Sequence, residues 1–276
     1  MLRSIYYLLN PSQRLQARRL FFAPVDLWEK LTGKRHPEVP PRGMIFTGGG
    51  DFIKAGERFL EFFVRYGKLE PHHRVLDVGS GIGRMAIPLT KFLNAKGSYE
   101  GFDIIRTGVK WCRQNITSRY PAFRFQLVDL QNDLYRSDGN TASGFRFPYP
   151  DQDFDFVFLT SVFTHMLPEE VENYMKEINR VLKPGGRCFA TFFIFNSNDP
   201  QKGIKPVFDF PVDKNHYRLM DAKVQSANVA YSVDYVTYNL GGKNGFKTEK
   251  VVEGWWKGFG ESEAVDFQDI VVFQKI

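Results

Sequence analysis

Cysteine is scarce: the 276 residues contain two, Cys112 and Cys188. Neither sits in a Cys-x-x-Cys pair or a histidine-rich setting, so no disulfide scaffold and no metal centre is expected, and a reducing cytoplasm suits the chain. Runs of about 18 apolar residues are missing, which excludes a bilayer-spanning helix. The apolar stretch within residues 1–10 is too short for a secretory signal. Acidic residues are absent from positions 1–22, where Arg3, Arg14, Arg18 and Arg19 supply four of the six net positive charges, leaving +2 for the rest. The body is therefore nearly neutral and offers no general polyanion-binding surface. Internal repeats and low-complexity tracts are absent too.

Aromatic residues are plentiful, at 16% with 27 Phe, and can fill a core or line a pocket. Length and composition fit one large α/β domain or two small ones. Residues 1–50 read as an arm or lid, with Pro24, Pro37, Pro40 and Pro41 and the ending Thr47-Gly48-Gly49-Gly50-Asp51. Residues 51–276 read as the main domain. Periodicity predicts a helix over Lys54–Tyr66, a buried strand over 74–79, and a helix from Gly83 to Asn94 that Pro88 can kink. A second strand follows over Ser98–Ile104, then a helix capped by Thr107 and running to Arg119, and a third strand over Phe123–Val128. After a polar loop, 131–149, come a fourth strand (Phe154–Thr160), a helix (Glu169–Leu182) stopped by Lys183-Pro184-Gly185-Gly186, and a fifth strand (Arg187–Phe195). Residues 196–231 break the rhythm as a substrate-side insertion. A helix over Ser232–Leu240 and two closing strands, Phe246–Trp255 and Phe267–Lys275, complete a doubly wound sheet.

Ligands of such sheets bind beyond the carboxyl ends of the strands, where strand order reverses. Gly79-Ser80-Gly81-Ile82-Gly83 lies at the first such end. Glycines let the backbone turn tightly and approach a ligand closely. A dinucleotide fingerprint would need its third glycine at position 84, where Arg84 stands, and the Gly-Lys-Ser/Thr of a phosphate loop is also missing.

Asp77 just ahead of a Gly-x-Gly-x-Gly turn resembles the first motif of class I S-adenosylmethionine-dependent methyltransferases. Further motifs follow in order: Asp103 after the second strand, Asp129 within Leu127-Val128-Asp129-Leu130, the strand 154–160, and Arg180-Val181-Leu182-Lys183-Pro184-Gly185-Gly186. The resemblance covers most of 50–276. It implies a seven-stranded, mostly parallel Rossmann-like sheet whose last strand is antiparallel. It implies S-adenosyl-L-methionine as cofactor, held by Asp77, Gly79, Ser80, Gly81, Gly83, Asp103, Ile104, Asp129, Leu130 and Thr160, with Asp103 on the ribose hydroxyls and Asp129 facing the adenine amino group. The Lys-Pro-Gly-Gly turn is a frequent mark of small-molecule and lipid methyltransferases, and the acceptor expected is a small molecule, a saccharide or a lipid-linked group, at an oxygen, the hydroxyl of a glycolipid or saccharide following if the N-terminal arm binds lipid. The Asn/Asp-Pro-Pro-Tyr/Phe motif of nucleic-acid amino methylation is absent, so a nucleic-acid target is disfavoured. A hydroxyl acceptor needs a base; the candidates are His165, His216 and Asp51. Readings left open are a nicotinamide-dependent oxidoreductase and a cofactor-binding module without turnover. Basic residues beside Leu15, Leu20, Phe21 and Phe22 suggest peripheral membrane contact through residues 1–22. Oligomeric state is left open.

Overall fold

The computed structural model describes residues 11–46, 48–130, 141–196, 206–258 and 264–276. Arg3, Thr47, the first half of the polar loop and residues 197–205 of the insertion lie outside these.

A seven-stranded sheet organises the chain. Its strands are β1 (Arg74–Val78), β2 (Ser98–Asp103), β3 (Phe123–Leu127), β4 (Phe154–Leu159), β5 (Leu182–Phe192), β10 (Phe246–Val252) and β11 (Asp269–Lys275), in spatial order β10-β11-β5-β4-β1-β2-β3. β1 pairs in parallel with β2 on one side and β4 on the other, so strand order reverses at β1. β11 runs antiparallel to both its neighbours, β5 and β10.

Alternation along β4 shows why this segment is central. Phe154, Val157 and Leu159 face one core cluster; Phe156 and Phe158 face the other. Both faces are covered, which explains the near-continuous apolar run. Helix α1 spans Pro11–Leu31 and α2 spans Phe52–Arg65. From α2, the ring of Phe63 stands 4.4 Å from Phe158 and 4.9 Å from Phe189. Burying such a ring contributes about 1.5–3 kcal/mol. The abundant phenylalanines are thus mostly core. Cys112 and Cys188 are both buried and free.

Several local expectations need correction. Helix α3 is short, Ala86–Phe92. Pro88 is its third residue, in the first turn, where amides lack intrahelical partners anyway, so Pro88 sacrifices little. Helix α4 (Arg106–Cys112) continues into a π-helical turn, Arg113–Thr117, and its N-cap is Ile105, not Thr107. The Thr107 hydroxyl is buried without a partner, while Asp103 accepts from the Ile105 amide at 2.7 Å. Helix α5 (Pro168–Val181) ends one residue early, because Leu182 already begins β5. Lys275 supports that end by donating Nζ to the carbonyls of Asn179 (2.6 Å) and Leu182 (2.8 Å). Residues Tyr235–Gly241 form a π-helix.

Around the insertion stands a second sheet, built from β6 (Ile194–Phe195), β7 (Val212–Asp213), β8 (Tyr217–Leu219) and β9 (Val229–Ser232). Asp269 ties it to the main sheet: its buried carboxylate accepts from Ile194 N (2.6 Å), Gly254 N (2.8 Å) and Trp256 Nε1 (2.7 Å).

Pro24 does not break the arm; it lies inside α1. The helix rests on the turn Arg42–Met44, where Asp26 accepts from the amides of Arg42 (2.6 Å) and Gly43 (3.0 Å) and Glu29 pairs with the Arg42 guanidinium at 2.7 Å. No helix among the described residues is long and apolar enough to cross a membrane.

Candidate functional site

A cavity of about 590 Å³ opens at the carboxyl ends of β1, β2 and β4. The glycine turn is its floor. Gly79, Gly81 and Gly83 adopt φ of 82°, 55° and 79°, the left-handed region that suits glycine. A Cβ on Gly79 would stand 2.6 Å from Val162 Cγ2. A Cβ on Gly83 would stand 2.6 Å from Ile116 Cδ1 and 3.0 Å from Cys112 Sγ. Gly83 therefore seats α4 against the loop; it does not line the cavity. The amides of Gly79 and Ser80 both donate to the Phe102 carbonyl at 3.0 Å, fixing the turn to the end of β2.

Asp77 is 1% exposed. Its Oδ2 accepts a 2.6 Å hydrogen bond from the Tyr99 hydroxyl, while Oδ1 has no partner. Burial, aided by the Asp103 charge and opposed by the Tyr99 hydrogen bond, pushes its carboxyl up to about 8. The Ser80 hydroxyl beside it is likewise buried and unpartnered. Asp103 accepts from the amides of Gly81 (2.8 Å) and Ile105 (2.7 Å), and burial raises its pKa despite these bonds. Two unpartnered polar atoms at a glycine-floored cavity mark a place where a polar ligand completes the hydrogen bonding.

Of the residues anticipated for the cofactor, Asp77, Gly79, Ser80, Gly81, Asp103, Ile104, Leu130 and Thr160 line the cavity. Asp129 does not: Val128 and Leu130 face the cavity, and Asp129, between them, is exposed.

The three base candidates separate. His165 lines the cavity, and its Nδ1 lies 3.1 Å from the Ser226 carbonyl, so Nδ1 carries the proton. Burial lowers its pKa and keeps the ring neutral near pH 7. His216 is outside the cavity lining; its ring packs 4.5 Å from that of Tyr235. Asp51 is also outside, and its carboxylate caps α2 by accepting from the amides of Ile53 and Lys54, both at 3.0 Å. Asp51→Ala is expected to lower unfolding free energy by about 1 kcal/mol with cofactor affinity and turnover unchanged. Lost turnover with an unaltered melting curve would return Asp51 to the reaction.

Sequence reading missed Phe46, Asn228, Phe267 and Gln268, which line the cavity from three distant segments. It also missed Ser161, a non-glycine residue at φ 58° two residues after the end of β4. Its amide donates to Thr191 Oγ1 at 2.7 Å and its hydroxyl is 3.0 Å from Gln268 Oε1. A residue held in this sparsely populated conformation commonly sits at a functional site. No local motif signals these positions, because each depends on where the second sheet and the approach to β11 come to rest.

Residues 76–190 match the family described as "Methyltransferase domain". The chain is 29% identical over 136 residues to a tRNA N(3)-cytidine methyltransferase of Gallus gallus, a match covering 48% of this chain and 33% of that protein. It is 26% identical over 149 residues to a ubiquinone/menaquinone biosynthesis C-methyltransferase of Xanthomonas oryzae, covering 54% of this chain and 52% of that protein. The chain thus spans about half or less of the length of these relatives. Among solved structures, the PH0226 protein of Pyrococcus horikoshii superposes with a TM-score of 0.55 at 18% identity, covering 84% of this chain and 95% of that one, which establishes the shared fold. S-adenosylmethionine, the cofactor of the family, suits this cavity: the glycine floor admits close backbone approach, and the unpartnered Asp77 and Ser80 oxygens offer acceptors to a cationic ligand. Residues 76–190 thus match a methyltransferase domain, and the strand order and the glycine turn at the reversal point agree with that match.

Proposed function

We propose that this protein transfers a methyl group from S-adenosylmethionine to a small organic or lipid-linked acceptor, at an oxygen. The carrying observation is the composition of the wall built by the loop after β4, the 206–231 stretch and the approach to β11. Phe208, Phe267 and Met166 give it an apolar surface, and His165, Asn228 and Gln268 interrupt it with neutral hydrogen-bonding groups. Such a wall suits an uncharged, largely apolar molecule with one or two hydroxyls. A nucleic-acid acceptor has less support, given the nearly neutral body and Thr160-Ser161-Val162-Phe163 after β4.

Asp77, Ser80 and the glycine turn hold the methionine end of the cofactor, Asp103 the ribose, and Ile104, Val128 and Leu130 the adenine, with Asp129 at the rim. The arm, residues 1–50, acts as a lid: Phe46, Gly48 and Gly49 line the cavity, and Arg84 donates Nη2 to the Gly48 carbonyl at 3.4 Å. The bound cofactor supplies an electrophilic methyl on a sulfonium. The chain's part is to hold the acceptor in line and exclude water, for which effective molarity alone can contribute roughly 7–11 kcal/mol. His165, whose Nδ1 lies 3.1 Å from the Ser226 carbonyl, is the base candidate that lines the cavity and would take the acceptor's proton.

The direct test is transfer of labelled methyl from S-adenosylmethionine to fractionated cell extract. Label in small organic or organic-soluble products supports the reading; label confined to RNA or protein overturns it. His165→Gln is expected to lower kcat about 10²–10⁴-fold with unchanged affinity for S-adenosylhomocysteine. Because burial lowers the His165 pKa, the acid limb of wild-type kcat should fall below the 6.5 of a free histidine. Turnover by His165→Gln within a few-fold of wild type excludes it as the base.

A further inference from the structure

Helix α1 turns most of its large apolar side chains to solvent and its acids inward, with Leu15 and Phe22 half-buried on the inward side. Leu20, Phe21 and Leu31 are more than three-quarters exposed, Leu27 and Trp28 about half, and Val25 39%. At 100° per residue these six fall within one arc of about 160°. They account for six of the eleven exposed large hydrophobic residues among those described; the other five are scattered over the chain. A contiguous exposed apolar patch of this kind marks an interaction surface.

The charges around the face share one sign. Arg14, Arg18 and Lys34 lie on or beside it, while Arg19 and Lys30 fall on the side of the turn, and Lys34 Nζ lies 4.5 Å over the Trp28 ring. The only two acids of the helix, Asp26 and Glu29, lie on the opposite side, engaged by the turn Arg42–Met44. A protein partner of ordinary composition would not require this one-sided charge; an anionic lipid surface would. The helix is too polar to span a bilayer, so it would lie on one. The same arm continues to Phe46, Gly48 and Gly49 at the cavity.

We propose that the exposed face of α1, centred on Leu20, Phe21, Leu27, Trp28 and Leu31, docks the protein on an anionic phospholipid bilayer. The face lies further along the chain than the first 22 residues. Docking does not depend on the identity of the acceptor, since vesicle binding reads α1 and S-adenosylhomocysteine titration reads the cavity.

The test is co-sedimentation of the full chain with phosphatidylcholine vesicles, with and without phosphatidylserine, for wild type and for Leu20→Glu/Phe21→Glu. Both side chains are exposed, so the double variant should keep the wild-type melting temperature and affinity for S-adenosylhomocysteine. The expected result is wild-type binding that requires phosphatidylserine, weakens with salt, and falls roughly tenfold or more in the variant. Three results would overturn the proposal: no vesicle binding by wild type, equal binding by the variant, or a wild-type dimer that the variant dissociates with no vesicle binding in either. The last would assign the face to a second copy of the chain.

Discussion

Gly79→Ala is expected to weaken binding of S-adenosylhomocysteine roughly 100-fold or more, while Gly185→Ala leaves it unchanged. Both glycines need positive φ, 82° and 76°, so both substitutions carry a backbone cost of about 1–2 kcal/mol. Their surroundings differ. A Cβ at Gly185 meets nothing within 4 Å, whereas at Gly79 it stands 2.6 Å from Val162 Cγ2. Val162 belongs to the loop after β4, and both residues line the cavity. The added methyl must push apart the two strand ends that hold the ligand, which costs a further 1–3 kcal/mol or so and comes out of binding. Calorimetric titration of the two variants separates strain from cradle. Equal affinities for both would mean the glycine turn does not contact the cofactor.

Asp77→Asn should act in opposite directions on stability and on binding. With the Asp77 carboxyl raised from 3.8 to about 8, the native protein favours its neutral form. The associated stability is fully present below the unfolded value near 4 and is lost as pH rises through 8. Asparagine stays neutral throughout. The cofactor-free variant should therefore match wild type near pH 4 and exceed it by at least about 2 kcal/mol near pH 8 to 9. Cofactor binding reverses the sign. The cationic end of S-adenosylmethionine favours the ionised carboxylate, so wild type releases a proton on binding and its affinity rises between about pH 6 and 8. In Asp77→Asn that slope disappears and affinity near pH 8 drops roughly 100-fold. Melting curves and titrations across this range read both effects. A wild-type affinity flat in pH would remove Asp77 from cofactor binding.

The buried Tyr99 that shapes Asp77's chemistry was invisible in sequence as a partner, because 22 positions separate them and only the parallel register of β1 on β2 brings them together. Thr107 failed as a cap for a related reason. Asp103, fixed by the end of β2, reaches the Ile105 amide first. Asp51 looked like a cavity residue from its glycine-rich approach, yet two amides of the helix it precedes already occupy its carboxylate.

The sequence by itself determined the sheet and the glycine turn and, through the resemblance that Asp77 and the turn carry, the cofactor. The first two follow from local signals, alternating side chains on β4 and glycines where φ must be positive, and of the acids at strand ends Asp77 and Asp103 line the cavity while Asp129 does not. Only the tertiary structure decided the wall of the cavity away from the glycine turn. Phe208, Asn228, Phe267 and Gln268 meet there because Asp269 binds Ile194, Gly254 and Trp256 together, contacts between residues far apart in the chain that no spacing encodes. The outward apolar face of α1 was decided the same way. Composition shows its leucines and aromatics, but whether they face the domain or solvent depends on which side Asp26 and Glu29 anchor to the turn at Arg42.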